Sequence, residues 1–146
     1  MGIGVSNGLA SHFPIHISDF VSPFPLPHSP FTLQSVQTLD QFNFHHVLAE
    51  TPGTALVIFT GPDCGACRRV KALLSEMVAA GESWRLFEVD AARDGGLARE
   101  FEVFHLPSLF LFRDGHYHAP LHAEPLPERI RAAVATTLAR PAQEAP

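Results

Sequence analysis

The sequence predicts an α/β domain in which strands and helices alternate in the order βαβαβαββα. The clearest strand is the continuous apolar run at residues 54–59, which suits a central strand buried on both faces. The clearest helix follows at residues 68–80, where apolar side chains recur at i, i+3, i+4, i+7 and i+8. Two further strand-like runs, 108–112 and 117–121, flank the turn sequence Asp114-Gly115 and predict a hairpin.

Two elements precede the central strand. Residues 31–36 alternate apolar and polar side chains, as a half-buried strand does. Residues 40–49 predict a helix, which Pro52-Gly53 ends because neither residue suits a helix interior. The domain is therefore expected to begin near Phe31.

The elements beyond the second helix are a strand, a short helix, the hairpin and a last helix. The strand is predicted over 84–89 and the short helix over 97–103. Pro120 in the second arm of the hairpin suits an edge strand, because proline lacks the N–H that an inner strand donates. Pro127 begins the last helix, whose apolar side chains recur on one face as far as Leu138.

Composition divides the chain into three segments. Residues 1–30 contain five prolines together with many large apolar side chains, which predicts an extension that docks partly on the domain or on a partner. Residues 31–140 form the predicted domain. Residues 141–146 form a C-terminal tail, with fraying expected from Ala139 onwards.

Charge and hydropathy indicate partners and location. A net charge of −5 argues against nucleic-acid binding, which needs a basic face, and no apolar run approaches the roughly 20 residues of a membrane span. No Lys or Arg precedes Arg68, so neither a secretory signal nor a transit peptide is predicted, and the expected location is cytoplasmic. In a cytoplasmic chain two cysteines are more often catalytic or metal-binding than a structural disulfide.

The two cysteines, Cys64 and Cys67, stand in a Cys-Gly-Ala-Cys motif at the start of the second helix. Two cysteines three residues apart lie on one face of a helical turn, so their sulfurs can join in a reversible disulfide. At the helix N-terminus, free N–H groups and the helix dipole favour a Cys64 thiolate, the attacking species in disulfide exchange. Cys67 lies on the apolar stripe, three residues before Val70, and is therefore predicted to be buried, with Cys64 exposed.

The cysteine pair has two other interpretations, half of a zinc site or a pair of inert buried thiols. A structural zinc site takes four ligands, usually including a second Cys/His pair, and one neighbouring histidine does not complete it. His116, His118 and His122 could share one face of a strand, but no clear carboxylate joins them, so solvent-facing histidines are predicted. Phe101 and Phe104 are predicted to lie in the core.

These residues resemble the thioredoxin family. The resemblance rests on the Cys-Gly-Ala-Cys motif after a strand, on Asp90 after the next strand, and on Leu106-Pro107-Ser108 before the fourth. It covers roughly residues 31–140 and implies a thioredoxin fold, a central mixed sheet with helices on both faces. It also implies a cis Leu106–Pro107 peptide bond facing the cysteines.

The resemblance implies a thiol–disulfide oxidoreductase in which Cys64 attacks a substrate disulfide and Cys67 resolves the mixed disulfide. Leu106 and Pro107 are then expected to bind an extended substrate. The expected partners are protein disulfides and a reductase or small-thiol electron donor. No bound cofactor or metal is expected beyond the reversible Cys64–Cys67 disulfide. The alternative is a thioredoxin-like module that holds a partner protein around Pro107 with little turnover.

Two departures from the family lie next to the cysteines. Thioredoxins carry Trp before the first cysteine and Pro between the two, where this chain has Asp63 and Ala66. The Asp63 carboxylate is expected to oppose formation of the Cys64 thiolate. Small residues at Gly65 and Ala66 are expected to leave the approach of substrate to Cys64 open.

A third departure concerns the second cysteine. Thioredoxins bury an aspartate six residues before the first cysteine, and here that position is Ile58, which cannot accept a proton. Glu88 on the neighbouring strand is the candidate substitute for that carboxylate. His105, two residues before Pro107, is a candidate cation that would stabilise a thiolate.

Overall fold

The computed structural model describes residues 35–146, and the predicted extension at residues 1–30 lies outside them. The described elements follow the predicted order. None of these helices is long and apolar enough to cross a membrane. In chain order the elements are β1 Gln37–Leu39, α1 Phe44–Ala49, β2 Thr54–Thr60, α2 Gly65–Ala79, β3 Arg85–Asp90, α3 Gly95–Glu100, β4 Ser108–Arg113, β5 His116–Leu121 and α4 Pro127–Leu138.

The strands form one mixed sheet with the order β1-β3-β2-β4-β5. The first three strands of the chain are parallel to one another, and β4 and β5 run antiparallel to their neighbours. The ends of β1, β2 and β3 therefore lie at the same edge of the sheet as the start of β4 and the end of β5. We call this the carboxyl edge, and it carries the segment between β2 and α2 with both cysteines.

Helices cover both faces of the sheet, as predicted. On one face α1 and α3 pack over an aromatic cluster that includes Phe44, Phe59 and Phe101. On the other face α2 and α4 pack over an aliphatic cluster that includes Leu56 and Leu74. Residues 55–59 of β2 are all 2% exposed or less, because alternate side chains of this strand enter the two clusters.

The observed ends of several strands and helices differ from the predicted ones. Of the strand predicted at residues 31–36, residues 31–34 lie outside the described part, and residues 35 and 36 are not in a strand. The helix predicted from residue 40 begins at Phe44, because the Asp40 carboxylate accepts the backbone N–H groups of residues 42 and 43 and forms a turn. The predicted 97–103 helix ends at Glu100, two residues before Glu102, whose φ of 50° cannot continue a helix.

The prediction that His116, His118 and His122 face solvent is wrong for His118. Leu111 pairs with Ala119 and Phe112 pairs with Tyr117, so His118 is an extra residue in a β-bulge that breaks the alternation. His118 is 7% exposed, and its Nε2 lies 2.9 Å from the carbonyl oxygen of Thr137 in α4.

The C-terminal tail, where the sequence predicts fraying, makes one backbone hydrogen bond to the sheet. The backbone N–H of Gln143 donates to the carbonyl of His118 at 2.7 Å. Since β5 is an edge strand, this bond pairs a carbonyl that the edge would otherwise leave to solvent. The edge position of β5 also agrees with Pro120.

The turn between β4 and β5 packs closely on the end of α1, which gives a stability prediction. A Cβ on Gly115 would lie 2.5 Å from the carbonyl oxygen of Ala49, and Gly115 has φ of +83°. Gly53 is a matched control, since its φ is +75° and a Cβ there would meet nothing within 4 Å. We expect Gly53→Ala to cost about 1–2 kcal/mol for its backbone conformation and Gly115→Ala roughly 1–3 kcal/mol more for the clash.

Urea denaturation of both variants and the unchanged protein measures these costs. Equal losses in the free energy of unfolding for the two variants would show that the close approach of Gly115 to Ala49 is not a constraint.

Candidate active site

A disulfide joins Cys64 and Cys67 at the N-terminus of α2, with their Cα atoms 5.2 Å apart. Cys64 is the N-cap residue, and its Sγ accepts the backbone N–H of Cys67 at 3.1 Å. Cys64 is partly exposed, whereas Cys67 is 2% exposed. The predicted difference in exposure between the two cysteine residues is therefore observed.

The loop from β2 to α2 places Cys64 at the carboxyl edge. β2 ends at Thr60, and Asp63 then adopts φ of 58°, a left-handed conformation that aspartate tolerates better than most residues. Gly65 opens the helix and is exposed, and Ala66 is half-buried. Neither residue carries a side chain large enough to cover Cys64.

Charges of both signs lie beside Cys64. The Asp63 side chain is exposed, as predicted. The guanidinium Nη2 of Arg68 lies 3.8 Å from the position that a Cβ on Gly65 would take, so this cation lies beside the first turn of α2. Sequence reasoning missed Arg68, although its position four residues after Cys64 was a usable signal, because residues so spaced share a helix face.

The Leu106–Pro107 peptide bond is cis, as the resemblance implies. Leu106 is 38% exposed, and its Cδ1 lies 2.7 Å from the position that a Cβ on Gly61 would take. Gly61 is three residues before Cys64, so the absence of a side chain there lets the Leu106–Pro107 segment approach the loop that carries the cysteines.

Glu88 forms a polar cluster on the sheet face that α2 covers. It pairs in register with Ile58 on the neighbouring strand, and Ile58 is 2% exposed. Both Glu88 carboxylate oxygens lie 3.0 Å from Lys71 Nζ, and the Thr60 hydroxyl donates to Oε1 at 2.9 Å. Lys71 is four residues after Cys67, so the ion pair lies about one helical turn from the buried cysteine.

The residues before Pro107 are exposed on the carboxyl edge. Phe101 is in the core as predicted, but the same prediction for Phe104 is wrong, since its side chain is 83% exposed. Phe104 lies in the segment between α3 and β4, where no strand or helix directs it inward. His105 is also exposed, and its carbonyl accepts the Ser108 hydroxyl at 2.6 Å.

Within residues 35–146, no three His, Cys, Asp or Glu side chains are grouped so that they could hold a metal ion. Neither the cysteine pair nor the set His116, His118 and His122 forms such a group with other residues in that part of the chain.

Comparison with known proteins relates these features to a family. The thioredoxin family model matches residues 35–136. Protein disulfide isomerase-like 1-3 of Arabidopsis thaliana is 34% identical over 104 residues, which is 68% of this chain and 17% of that protein. Thioredoxin of Chlamydia trachomatis is 30% identical over 80 residues, which is 55% of this chain and 76% of that protein.

Solved structures show the same fold. Mitochondrial thioredoxin 3 from Saccharomyces cerevisiae, in its oxidized form, superimposes with a TM-score of 0.59 at 19% identity, covering 71% of this chain and 97% of that one. The similarities in sequence and the Cys64–Cys67 pair together support thiol–disulfide oxidoreductase chemistry.

The two charges beside Cys64 predict opposite effects on its thiolate. In the reduced protein, Asp63→Asn should lower the pKa of Cys64 because a negative charge is removed, and Arg68→Gln should raise it because a positive charge is removed. Each change should be small, since exposed charges interact weakly through water.

Ultraviolet absorbance of the thiolate as a function of pH measures both changes. Asparagine is suitable at residue 63 because it also tolerates a left-handed φ. Asp114→Asn is the control, since Asp114 has φ of 49° and is exposed at the opposite edge of the sheet. If all three variants titrate like the unchanged protein, neither neighbouring charge acts on Cys64.

Proposed function

Because the chain belongs to the thioredoxin family, we propose that it is a protein-disulfide reductase acting through the Cys64/Cys67 dithiol. The observation that carries the proposal is the unequal exposure of two cysteines joined by a disulfide at a helix N-terminus. Cys64, the more exposed residue, is the one proposed to meet the substrate, and the buried Cys67 is proposed to react only with Cys64. The chain spans 17–20% of the length of the first protein disulfide-isomerase relatives it matches, so the substrate and partners proposed below are those of this domain.

The proposed reaction has two exchange steps. The Cys64 thiolate attacks one sulfur of a substrate disulfide, forms a mixed disulfide and releases the other substrate sulfur as a thiolate. Cys67, as a thiolate, then attacks the Cys64 sulfur, which closes the Cys64–Cys67 disulfide and releases the second substrate thiolate. Two electrons pass from the dithiol to the substrate, and a reductase or a small thiol returns them in the next cycle. No further cofactor enters these steps.

Local structure supports the role of Cys64 as the attacking residue. The backbone N–H of Cys67 already points at the Cys64 sulfur, and the same donor is available to a thiolate after reduction. The Arg68 cation adds a favourable charge nearby, and the Asp63 carboxylate opposes it.

Leu106 and Pro107 are proposed to receive the substrate backbone beside Cys64. The contact of Leu106 with Gly61 supports this role, because it ties the cis-proline segment to the cysteine loop. Gly65 and Ala66 leave the approach open. His105 is exposed on the same segment, where its ring can contact a bound substrate.

Glu88 is proposed to accept the proton that Cys67 releases before it attacks. The sheet register places Glu88 beside Ile58, on the face that α2 covers, and Lys71 joins it to the helix that carries Cys67. The ion pair is partly shielded from water, since the Glu88 side chain is 19% exposed and that of Lys71 36%.

The cysteine variants test the proposed reaction. With dithiothreitol as the reductant, Cys64→Ser should lose disulfide-reductase activity, because the remaining cysteine, Cys67, is buried and a substrate disulfide cannot reach it. Cys67→Ser should accumulate protein mixed disulfides, because the resolving thiol is missing. The thermal stability of both variants is compared with that of reduced wild type, which also lacks the disulfide.

The alternative function, a partner-binding module with little turnover, predicts a different result. In that case Cys64→Ser would retain its partners, and Cys67→Ser would capture none through a covalent bond. The exposed Phe104 and the apolar Ile58 are the observations that favour this alternative. The cytoplasmic location stays a prediction from the sequence.

The proposed role of Glu88 predicts slow resolution of the mixed disulfide. Glu88→Gln keeps an oxygen that accepts the Thr60 hydroxyl but removes the charge. We expect the decay of a preformed mixed disulfide to slow by roughly ten- to a hundredfold. This lies at or below the lower end of the rate enhancement that a positioned general base provides. The decay rate as a function of pH is the measurement.

Glu76→Gln is the matched control, since Glu76 is an exposed carboxylate on α2. A Glu88→Gln variant with the decay rates and pH profile of Glu76→Gln would remove Glu88 from the proton pathway.

A further inference from the structure

A groove extends from the cis-proline segment along the carboxyl edge. Its volume is about 910 Å³, and it lies between the segment 101–107 and the segment 122–125 that follows β5. Val70, one helical turn after Cys67, lines it together with Pro107. The groove therefore shares Pro107 with the proposed redox site, although neither cysteine lines it.

The walls of the groove offer apolar surface. Phe104 lines it with 83% of its side chain exposed, and Ala123 and Pro125 contribute apolar atoms from the segment after β5. Gln143 of the tail lines the other side, where its backbone N–H is bonded to β5. The backbone of β5 thus already accepts a hydrogen bond from another segment beside the groove.

The charge of the groove has one sign. Among the described residues that line it are the carboxylates Glu102, Glu124 and Glu144, and no lysine or arginine. Glu124 lies 3.6 Å from Arg129, with both side chains about 70% exposed, so its charge is partly balanced. Glu102 and Glu144 form no ion pair within residues 35–146. The groove therefore presents unbalanced negative charge next to exposed apolar surface.

We infer that this groove selects protein substrates by the segment that flanks the attacked disulfide, and that it favours an extended segment carrying Lys or Arg beside a large apolar side chain. The inference rests on the proposed function and adds a substrate class to it. The apolar side chain contacts Phe104 and Pro125. The basic side chain is attracted to Glu102 and Glu144, which raises the rate of productive encounter.

Three synthetic peptides with the same disulfide loop test this preference. The two residues next to the disulfide loop are Lys-Leu, Gln-Leu or Glu-Leu. For each peptide kcat/KM is measured at low and at high salt, at pH 8, where free imidazole is neutral. Each kcat/KM is divided by the kcat/KM for 2-hydroxyethyl disulfide, a small neutral substrate without a flanking segment. The Lys-Leu peptide should be the fastest and the Glu-Leu peptide the slowest, with the difference shrinking at high salt.

The variant Glu102→Gln/Glu144→Gln should lower the ratio of the Lys-Leu to the Glu-Leu rate by at least about threefold. Glu50→Gln/Glu128→Gln is the matched control, because it removes the same charge from exposed residues outside the groove. Phe104→Ser should slow the reduction of all three peptides while leaving their charge preference.

Equal rates for the three peptides, or an equal loss of preference in the control variant, would overturn the inference while leaving the reductase intact. A protein that reduces neither the peptides nor 2-hydroxyethyl disulfide would overturn the proposed function itself. A preference for Lys-Leu that survives Glu102→Gln/Glu144→Gln would place the selection elsewhere and also refute the role of the groove.

Discussion

Strand β2 is held between two neighbours along almost its whole length, by β3 over residues 55–60 and by β4 over residues 54–59. A strand so placed cannot shift register without moving every apolar side chain to the wrong face. Its end at Thr60 is therefore fixed relative to the start of β4, and the two segments that meet there are the cysteine loop and the cis-proline segment. The position of the candidate site is a consequence of this pairing.

The same pairing gives the two sulfurs different surroundings. The loop after β2 brings Cys64 to the carboxyl edge, whereas the apolar face of α2 takes Cys67 down towards the sheet. On the face that α2 covers, Ile58 of β2 and Glu88 of β3 are partners in the sheet register. The neighbouring strand thus provides a carboxylate on the same face as the aliphatic Ile58, which is the basis of the role proposed for Glu88.

The elements that could be predicted from the sequence are those with strong periodicity and clear end signals: β2, α2, the hairpin and α4. The cysteine motif and Pro107 could also be predicted, because their spacing and their neighbouring elements identify them. His118 was misassigned because a bulge is a property of strand pairing, which one strand does not reveal. Phe104 was misassigned because its exposure depends on the path of the segment between α3 and β4, which the sequence does not reveal. Arg68 was missed although its position on α2, four residues after Cys64, could have been used.

The tail bonded to β5 has a consequence for the behaviour of the protein in concentrated solution. An open sheet has two edge strands, and unpaired backbone groups on a long edge can recruit a strand of another molecule. Here β1 has three residues, while β5 has six and is the larger hazard. Gln143 occupies the His118 carbonyl, and Pro120 removes one donor from the same strand. The bond from Gln143 and the proline at residue 120 thereby reduce the number of free backbone groups through which β5 could pair with another molecule.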